Sequence, residues 1–285
     1  QRQMCIRDRL CTDLDRTLLP NGPQPESPGA RKSFTELVTR PDVVLVFVTG
    51  RDQALVEQAI SEFQLPQPDY VIADVGSTIY QIRQHEWYHW NNWEQEIGRD
   101  WEGRTHDDLH ALFHGLPELK LQEDSKQKNY KLSYYVSADV DHEVLMSDMH
   151  AILVDQHICA NLIWSIDELA NTGLLDVLPA SASKRHAIEY LMEQLDFSLA
   201  NTVFAGDSGN DMAVLTSPIQ SVLVANASDE VRHEARQQAL NLGQNEALYF
   251  AAGNFLGMNG NYSAGILEGV AHYLPEVLPV MEETV

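Results

Sequence analysis

Asp13 and Asp15, two carboxylates separated by one residue, lie at the end of a short stretch at residues 10–14 that predicts a β-strand. Side chains two positions apart on a strand point to the same side. At the carboxyl end of a parallel sheet, the pair would face the crevice in which ligands bind. Two adjacent negative charges repel each other, and Mg²⁺ relieves this repulsion because it prefers carboxylate oxygens. The alternative for this pattern alone is an exposed acidic turn.

A second polar turn, Thr49-Gly50-Arg51, follows a continuous β-branched and aromatic run at residues 43–48. Such a run is typical of a strand buried on both faces of a parallel sheet. A hydroxyl, a glycine amide and the start of a helix together form a cradle for an anion. The turn is therefore a candidate phosphate site, although a Thr-Gly pair also commonly does no more than end a strand.

Lys184 and the segment 206–211 complete the set of candidate residues. Lys184 is one of only six lysines and lies at the start of a predicted helix, where the helix dipole disfavours a cation. A phosphate partner would offset that cost, and an exposed lysine is the alternative. The segment Gly-Asp-Ser-Gly-Asn-Asp at 206–211 directly follows an apolar strand and forms a tight turn rich in oxygen ligands.

The elements around these motifs predict an α/β fold. Strands at 10–14, 43–48 and 70–73 alternate with helices near 30–39 and 52–63, which is the pattern of a doubly wound, Rossmann-like parallel sheet. After residue 82, half-buried strands mixed with helices indicate an α+β insert. The α/β pattern returns with a strand at 174–178. We therefore predict a core at residues 10–82 and 175–285, interrupted by an inserted cap domain at 83–174; residues 1–9 match no predicted element.

Composition limits the classes of partner. The chain has 285 residues with 42 Asp+Glu against 19 Lys+Arg, a net charge of −23. This acidity argues against a nucleic acid or an anionic membrane as the main partner, since both would be repelled. The longest apolar run is too short to span a membrane, and no signal-peptide pattern is visible. Three cysteines without paired spacing indicate no disulfide framework, so we expect a cytoplasmic protein.

Taken together, the motifs resemble the haloacid dehalogenase superfamily of phosphohydrolases. The order is Asp13-x-Asp15-x-Thr17, then Thr49-Gly50-Arg51, then Lys184, then the 206–211 turn. The insert between the second and third motifs is similar to that superfamily's C2-type cap. Within the superfamily, the chain is most similar to the sucrose-phosphate phosphatases. This narrower resemblance is carried by blocks at 68–70, 75–80, 130–134, 175–179, 224–227 and 263–268.

The resemblance implies a covalent mechanism. Asp13 would attack phosphorus and form an aspartyl-phosphate, which splits one difficult displacement into two easier ones. Asp15 would protonate the leaving sugar oxygen and then activate water. A carboxylate at position 15 also distinguishes phosphatases and mutases from the family's dehalogenases and ion pumps. The expected activity is therefore that of a phosphatase acting on sucrose 6-phosphate or a close disaccharide or glycoside phosphate.

The same resemblance assigns the binding residues. Mg²⁺ would be held by Asp13, the backbone carbonyl of Asp15, Asp207 and Asp211. The phosphoryl oxygens would be bound by the Thr49-Gly50-Arg51 turn and by Lys184. Asn210 would orient Lys184 or the phosphate, and Lys131 on a cap strand would contact sugar hydroxyls. Two departures from the family pattern stand out: Arg16, where glycine or asparagine is common, and a long segment at 165–173.

Other features have two interpretations. Four of the five tryptophans lie between residues 85 and 101, and packing within the cap is favoured over stacking on a sugar. Histidines spaced by four, at 85 and 89 and at 106, 110 and 114, lack a zinc-site context and favour exposed cap positions. The alternative functions are a phosphatase of another sugar or compatible-solute phosphate, a phosphosugar mutase, and a docking subunit of a sugar-phosphate synthase.

Overall fold

The computed structural model describes residues 8–167 and 170–277, which form two sheets. The large sheet has eight strands in the spatial order β12-β11-β10-β1-β2-β3-β4-β5. Their ranges are β1 Asp8–Thr12, β2 Val43–Val48, β3 Tyr70–Ala73, β4 Thr78–Arg83, β5 Glu86–His89, β10 Thr202–Gly206, β11 Gln220–Leu223 and β12 Leu248–Phe250. Pairing is parallel from β12 to β3 and antiparallel from β3 to β5.

The small sheet is antiparallel throughout and has the order β6-β7-β9-β8. Its strands are β6 Lys120–Leu121, β7 Leu132–Ser137, β8 Ala160–Asp167 and β9 Thr172–Pro179. The helices of the described chain are α1 Ala30–Val38, α2 Gln53–Phe63, α3 Asn91–Ile97, α4 His106–Leu112, α5 His142–Asp155, α6 Lys184–Gln194, α7 Met212–Leu215, α8 Asp229–Asn241 and α9 Ser263–Tyr273. This architecture confirms the predicted α/β fold with a parallel core sheet.

Helices cover both faces of the large sheet, which explains why β2 is apolar at every position. Leu45 and Phe47 pack on one side with residues of α1 and α9. Val44, Val46 and Val48 pack on the other side with residues of α6, α7 and α8. Successive side chains of a strand point to opposite faces, so a strand between two helical layers needs apolar residues throughout. Among the described residues, no helix has both the length and the apolar character that crossing a bilayer requires.

The strand order reverses beside β1, which lies between β2 and β10. A reversal of this kind opens a crevice at the carboxyl ends of the strands, where α/β proteins bind their ligands. Asp13 follows β1 and Asp207 follows β10, so both side chains are placed at this crevice.

The strand predicted at residues 174–178, where the second part of the core was expected to begin, belongs to the small sheet instead. β9 pairs with β7 and β8, and its Leu175 and Val177 are buried with Leu132 and Tyr134. The predicted boundary at residue 175 therefore falls inside a strand. At the other boundary, β5 extends the large sheet beyond residue 82. The domain limits stay a prediction, and the strand pairing favours limits near residues 98 and 180.

The long segment at 165–173 is mostly β-structure. β8 continues to Asp167 and β9 starts at Thr172, and the two strands pair up to that point. The segment is therefore the end of a long antiparallel pair rather than an extended turn; its residues 168–169 lie outside the described chain.

A loop at residues 74–76 is pressed against the start of α6. Asp74, Val75 and Gly76 all have positive φ, at 51°, 61° and 98°. A Cβ added to Gly76 would lie 2.6 Å from the backbone nitrogen of Lys184. Only glycine permits this approach, because any side chain would push the loop away from the helix that carries Lys184.

We expect Gly76→Ala to lower the free energy of unfolding by about 2–4 kcal/mol, from left-handed strain and overlap combined. Gly103 is a matched control, since it has φ of 79° but no atom within 4 Å of an added Cβ. Gly103→Ala should cost about 1 kcal/mol, from the backbone alone. Urea unfolding of both variants measures the difference. Equal costs for the two would refute the claim that close approach fixes Gly76.

Candidate active site

Asp13 lies at the centre of the site. Its backbone nitrogen donates to the Ala205 carbonyl at 2.9 Å, which ties the turn after β1 to β10. Its side chain is buried, and Oδ1 accepts a hydrogen bond from Lys184 Nζ at 2.8 Å. The nucleophile predicted from sequence is therefore placed beside the predicted phosphate-binding lysine.

The turn after β10 holds two more carboxylates. Asp211 is fully buried, and its Oδ2 accepts hydrogen bonds from the backbone nitrogens of Asp207 at 3.1 Å and Ser208 at 3.3 Å. A Cβ on Gly206 would lie 2.6 Å from Asp211 Oδ2, so the turn needs glycine at that position. Asp211 thus shapes the turn that presents Asp207.

The carboxylates of Asp13, Asp207 and Asp211 converge. One oxygen from each lies within 4.8 Å of the others, and all three residues are buried. Oxygen donors of this kind fit a hard divalent cation such as Mg²⁺. Within residues 8–167 and 170–277 this is the only group of three potential ligands, and the histidines at 106, 110 and 114 form no such group.

Lys184 is the cation held among these acids. Ser183 caps α6 by accepting from the His186 nitrogen at 3.1 Å, and Lys184 is the first helical residue. Its Nζ donates to Asp13 Oδ1, to Asp211 Oδ1 at 2.7 Å and to Asn210 Oδ1 at 3.1 Å. Burial works to lower the pKa of Lys184, but the carboxylates of Asp13 and Asp211 outweigh it and raise the pKa. The lysine is therefore charged.

The same crowding changes the titration of the carboxyls. Burial raises the pKa of Asp13 to about 7; Lys184 opposes the rise and the neighbouring Asp211 and Asp207 add to it. Burial and Asp211 raise the pKa of Asp207 to about 6, against the effect of Arg16 and Thr17. Buried like charges favour protonation unless a cation offsets them.

Asp15 lies apart from this cluster and is clamped by two side chains. Arg51 donates from Nε to Oδ2 at 2.8 Å and from Nη2 to Oδ1 at 2.7 Å. Asn21 donates from Nδ2 to Oδ1 at 2.7 Å. Burial works to raise the pKa of Asp15, but these hydrogen bonds and the charge of Arg51 hold it below its usual value. Sequence analysis placed Arg51 on the substrate, whereas the structure pairs it with Asp15.

The remaining residues of the predicted anion cradle are in place. Thr49 is buried, and its Oγ1 accepts from the Arg51 backbone nitrogen at 3.1 Å. Gly50 is exposed, and an added Cβ would meet only the Val75 side chain, at 3.8 Å. The turn is held against the loop at 74–76, because Val75 N donates to Thr49 O at 3.2 Å.

Asn21 and Asn226 were missed by sequence reasoning. Asn21 accepts from the Arg16 nitrogen and donates to Asp15, and Asn226 donates to the Arg16 carbonyl at 2.6 Å. Pro20-Asn21-Gly22 is a recognisable turn pattern, and a turn asparagine commonly bonds nearby groups. The sequence block at 224–227 contains Asn226, but its partners are more than 30 residues distant in sequence, so the block did not reveal these contacts.

Arg16 departs from the family pattern at a backbone cost. Its φ is 59°, in the left-handed region that favours glycine and asparagine. Its Nε lies 3.5 Å from Asp207 Oδ2. The arginine therefore accepts a backbone cost and places a cation beside the carboxylate cluster.

The cap residues divide into packing and polar roles. Trp93 and Trp101 are fully buried, while Trp87 and Trp90 make edge contacts with Tyr80 and Tyr70. These contacts favour packing over sugar stacking, but Trp87, Trp90 and Trp93 pack with the large sheet rather than within the cap as predicted, and of the four only Trp101 lies in the core of the small-sheet region. Lys131 is buried as well, with Nζ 3.7 Å from Asp74 Oδ1 and 3.5 Å from Asp176 Oδ2.

Comparison with known proteins places this geometry in context. Residues 7–274 match the family model of the sucrose-6F-phosphate phosphohydrolases. A HAD-like hydrolase of Nitrosococcus oceani is 51% identical over 96% of this chain and 73% of its own length. A mannosylfructose-phosphate phosphatase of Agrobacterium fabrum is 30% identical over 93% of this chain and 96% of its own length.

A sucrose-phosphatase of Arabidopsis thaliana is 28% identical over 93% of this chain, but the match spans only 59% of that protein. The chain is thus similar to about three fifths of its plant relatives. Among solved structures, the sucrose-phosphatase of Synechocystis, in complex with sucrose and phosphate, superposes with a TM-score of 0.69. It is 24% identical and covers 94% of this chain and 98% of its own, a likeness that shows the fold.

The raised pKa values predict how stability depends on pH. In the metal-free protein Asp13, with a pKa of about 7, and Asp207, with a pKa of about 6, bind more protons than in the unfolded chain. Their contribution is complete below about pH 4 and is lost as pH rises through 6 and 7. Between pH 5 and pH 8, we expect a loss on the order of 4 kcal/mol in the free energy of unfolding.

Urea unfolding in a chelator at several pH values measures this slope. Asp13→Asn removes one of the two groups and should flatten the slope, and Mg²⁺ should flatten it in the wild type, because the bound ion favours ionised carboxylates. Identical slopes for wild type and Asp13→Asn would contradict the assignment.

Proposed function

The chain belongs to the sucrose-6F-phosphate phosphohydrolase family, whose members are phosphoric monoester hydrolases, and we propose that it hydrolyses sucrose 6-phosphate or a closely related disaccharide phosphate with Mg²⁺ as cofactor. The observation that carries this proposal is the buried contact between Asp13 and Lys184 within the cluster of three carboxylates. It supports the proposal because it brings a carboxylate, a cation and a set of potential oxygen ligands to one point of the crevice.

Asp13 is the proposed nucleophile. Its carboxylate oxygen would form a bond to phosphorus as the bond from phosphorus to the sugar oxygen breaks. Lys184 would move from the carboxylates toward the phosphoryl oxygens, where negative charge accumulates. Thr49 and the backbone of Gly50 would bind the same oxygens. A divalent cation, when held by Asp13, Asp207 and Asp211, supplies the positive charge that brings two anions together.

Asp15 is the proposed general acid and base. In the first step its proton would pass to the departing sugar oxygen; in the second step its carboxylate would take a proton from the water that attacks phosphorus. That attack would release phosphate and free Asp13. Arg51 suits the second step, because it favours the ionised form of Asp15. The proton taken from water restores the acid form of Asp15 for the next turnover, and phosphate oxygens that draw Arg51 away would let Asp15 keep that proton.

The cap is the proposed source of sugar selection. Lys131, just before β7, lies near Asp74 in the loop at 74–76 and near Asp176 of β9. Polar pairs of this type can bind sugar hydroxyls, as proposed for Lys131 from its sequence. The relatives include both sucrose- and mannosylfructose-phosphatases. Sucrose 6-phosphate is therefore a more specific proposal than a disaccharide phosphate in general.

We expect the purified protein with Mg²⁺ to release phosphate from disaccharide phosphates. Asp13→Asn should abolish turnover, since the nucleophile is lost, and Asp15→Asn should reduce kcat by about 10²- to 10⁴-fold. The measurement is phosphate release from sucrose 6-phosphate, mannosylfructose phosphate, trehalose 6-phosphate and glucose 6-phosphate. Asp139→Asn, an exposed cap aspartate, is the matched control and should behave as wild type.

Turnover by Asp13→Asn at the wild-type rate would refute the covalent mechanism. Preference for a monosaccharide phosphate would refute only the disaccharide assignment. The cytoplasmic location and a docking contact with a sugar-phosphate synthase stay predictions, and joint elution of the two purified proteins from a size-exclusion column tests the second.

A further inference from the structure

Three of the six lysines lie within one short segment of the cap. Lys126, Lys128 and Lys131 belong to residues 124–131, which connect β6 to β7. In a chain of net charge −23, this is the densest concentration of lysine. The segment lies against the large-sheet domain at the turn that forms the predicted anion cradle, so its charges bear on how the cap meets the core.

The first contact joins Lys126 to Asp52. Lys126 Nζ donates to Asp52 Oδ2 at 2.7 Å, and the side chains are 34% and 12% exposed. Asp52 uses its other oxygen to cap α2, accepting from the Leu55 nitrogen at 3.0 Å. Partial burial works to raise the pKa of Asp52, but the hydrogen bonds and the charge of Lys126 hold it below its usual value. Asp52 is thus a fixed carboxylate rather than a mobile surface side chain.

The second contact joins Lys131 to Asp74. The two side chains are 8% and 1% exposed, and their charged atoms lie 3.7 Å apart. Asp74 Oδ1 has no hydrogen-bond partner among the described residues. Burial raises the pKa of Asp74, and the charges of Lys131 and then Lys128 oppose that rise. Lys131 also approaches Asp176 of its own sheet at 3.5 Å. This lysine therefore bridges the two sheets.

Both aspartates are attached to the same turn. Asp52 follows Arg51 directly, and the Asp74 backbone nitrogen donates to the Arg51 carbonyl at 3.0 Å. A cap segment held at Asp52 and Asp74 is consequently held on either side of the Thr49-Gly50-Arg51 turn. Charge-assisted hydrogen bonds are the stronger class, and partly buried ones are screened less than surface pairs.

We propose that Lys126 is a positioning residue, which through Asp52 fastens cap segment 124–131 onto the Thr49-Gly50-Arg51 turn and so places Lys131 over the substrate. The inference rests on the proposed function for its consequence in catalysis. Its structural part is independent: the Lys126–Asp52 ion pair holds the segment to the large-sheet domain, beside the Lys131–Asp74 contact and the hydrogen bond from Asn129 to Glu94, and releasing the pair loosens the segment. Lys126 acts through Lys131 and touches no reacting atom.

Hydrogen–deuterium exchange of residues 124–131 tests the structural part with the full-length protein. Lys126→Gln removes the cation. Asp52→Asn keeps an oxygen for the Leu55 nitrogen but turns an amide nitrogen toward Lys126. Each change should speed exchange in the segment by about 3- to 10-fold, the range for a charged hydrogen bond at a half-exposed site. High salt should have the same effect on the wild type.

The double variant separates a specific pair from general loosening. If the pair acts as a unit, Lys126→Gln with Asp52→Asn should exchange no faster than either single variant. Lys120→Gln, an exposed lysine on the edge strand β6, makes the same charge change away from the large sheet and should exchange as wild type. Wild-type exchange in Lys126→Gln, or additive effects in the double variant, would overturn the proposal.

Kinetics tests the consequence for catalysis. Lys126→Gln should raise KM for a disaccharide phosphate about 3- to 10-fold, but leave kcat/KM for p-nitrophenyl phosphate unchanged, because that substrate has no sugar to place. An equal loss on both substrates would indicate a merely structural role and overturn the positioning assignment. If the wild type hydrolyses p-nitrophenyl phosphate and no sugar phosphate, the proposed function fails, while the exchange experiment still decides the ion pair.

Discussion

Three buried carboxylates around one buried ammonium are the interaction on which the rest of the structure depends. Asp13, Asp207 and Asp211 bring their oxygens within 4.8 Å of one another, and Lys184 contacts two of them. Left unpaired, such a cluster costs several kcal/mol for each ion in a protein interior. The protein tolerates it because Lys184 offsets part of the charge and protonation of Asp13 and Asp207 offsets more. The cluster is therefore suited to bind a cation.

The backbone around the cluster follows from this need. Asp13 and Asp207 reach one another because β1 and β10 are parallel neighbours at the point where strand order reverses. Lys184 reaches them because Gly76 lets the loop at 74–76 pack directly on the start of α6. A lysine at a helix start opposes the helix dipole, and here two carboxylates compensate.

The sequence was sufficient to predict the residues of the cluster, but not the side chains that hold the neighbouring Asp15. The residues Asp13, Lys184, Asp207 and Asp211 stand at the ends of strongly apolar strands or at a helix start, and these local patterns determine where they lie in a doubly wound fold. The clamp of Arg51 and Asn21 on Asp15 depends on side-chain geometry that spacing does not reveal.

The strand now labelled β9 was predicted to belong to the large sheet, and that prediction was wrong. The apolar Leu174 hides the alternation of buried and less buried residues along this strand. Burial along the strand has a period of two, with Leu175 and Val177 inside and Asp176 turned to the other face. Alternation of this kind is typical of an antiparallel strand with one buried face.

The ion pair of Lys126 with Asp52 joins residues 74 positions apart, and neither residue alone suggests the other.

The distribution of positive charge separates chemistry from selection. Lys184, the one lysine of the core cluster, is proposed to bind phosphoryl oxygens, which every phosphate monoester presents, so it would not distinguish one sugar from another. Discrimination requires contacts beyond the phosphate, and polar groups left unpaired by a wrong substrate are the most effective source. Lys131, Asp74 and Asp176 form such a group at the junction of the two sheets. Half of the lysines of this chain lie in the segment that meets the large sheet, and under the proposed function the sugar that pairs with Lys131, Asp74 and Asp176 would decide the substrate.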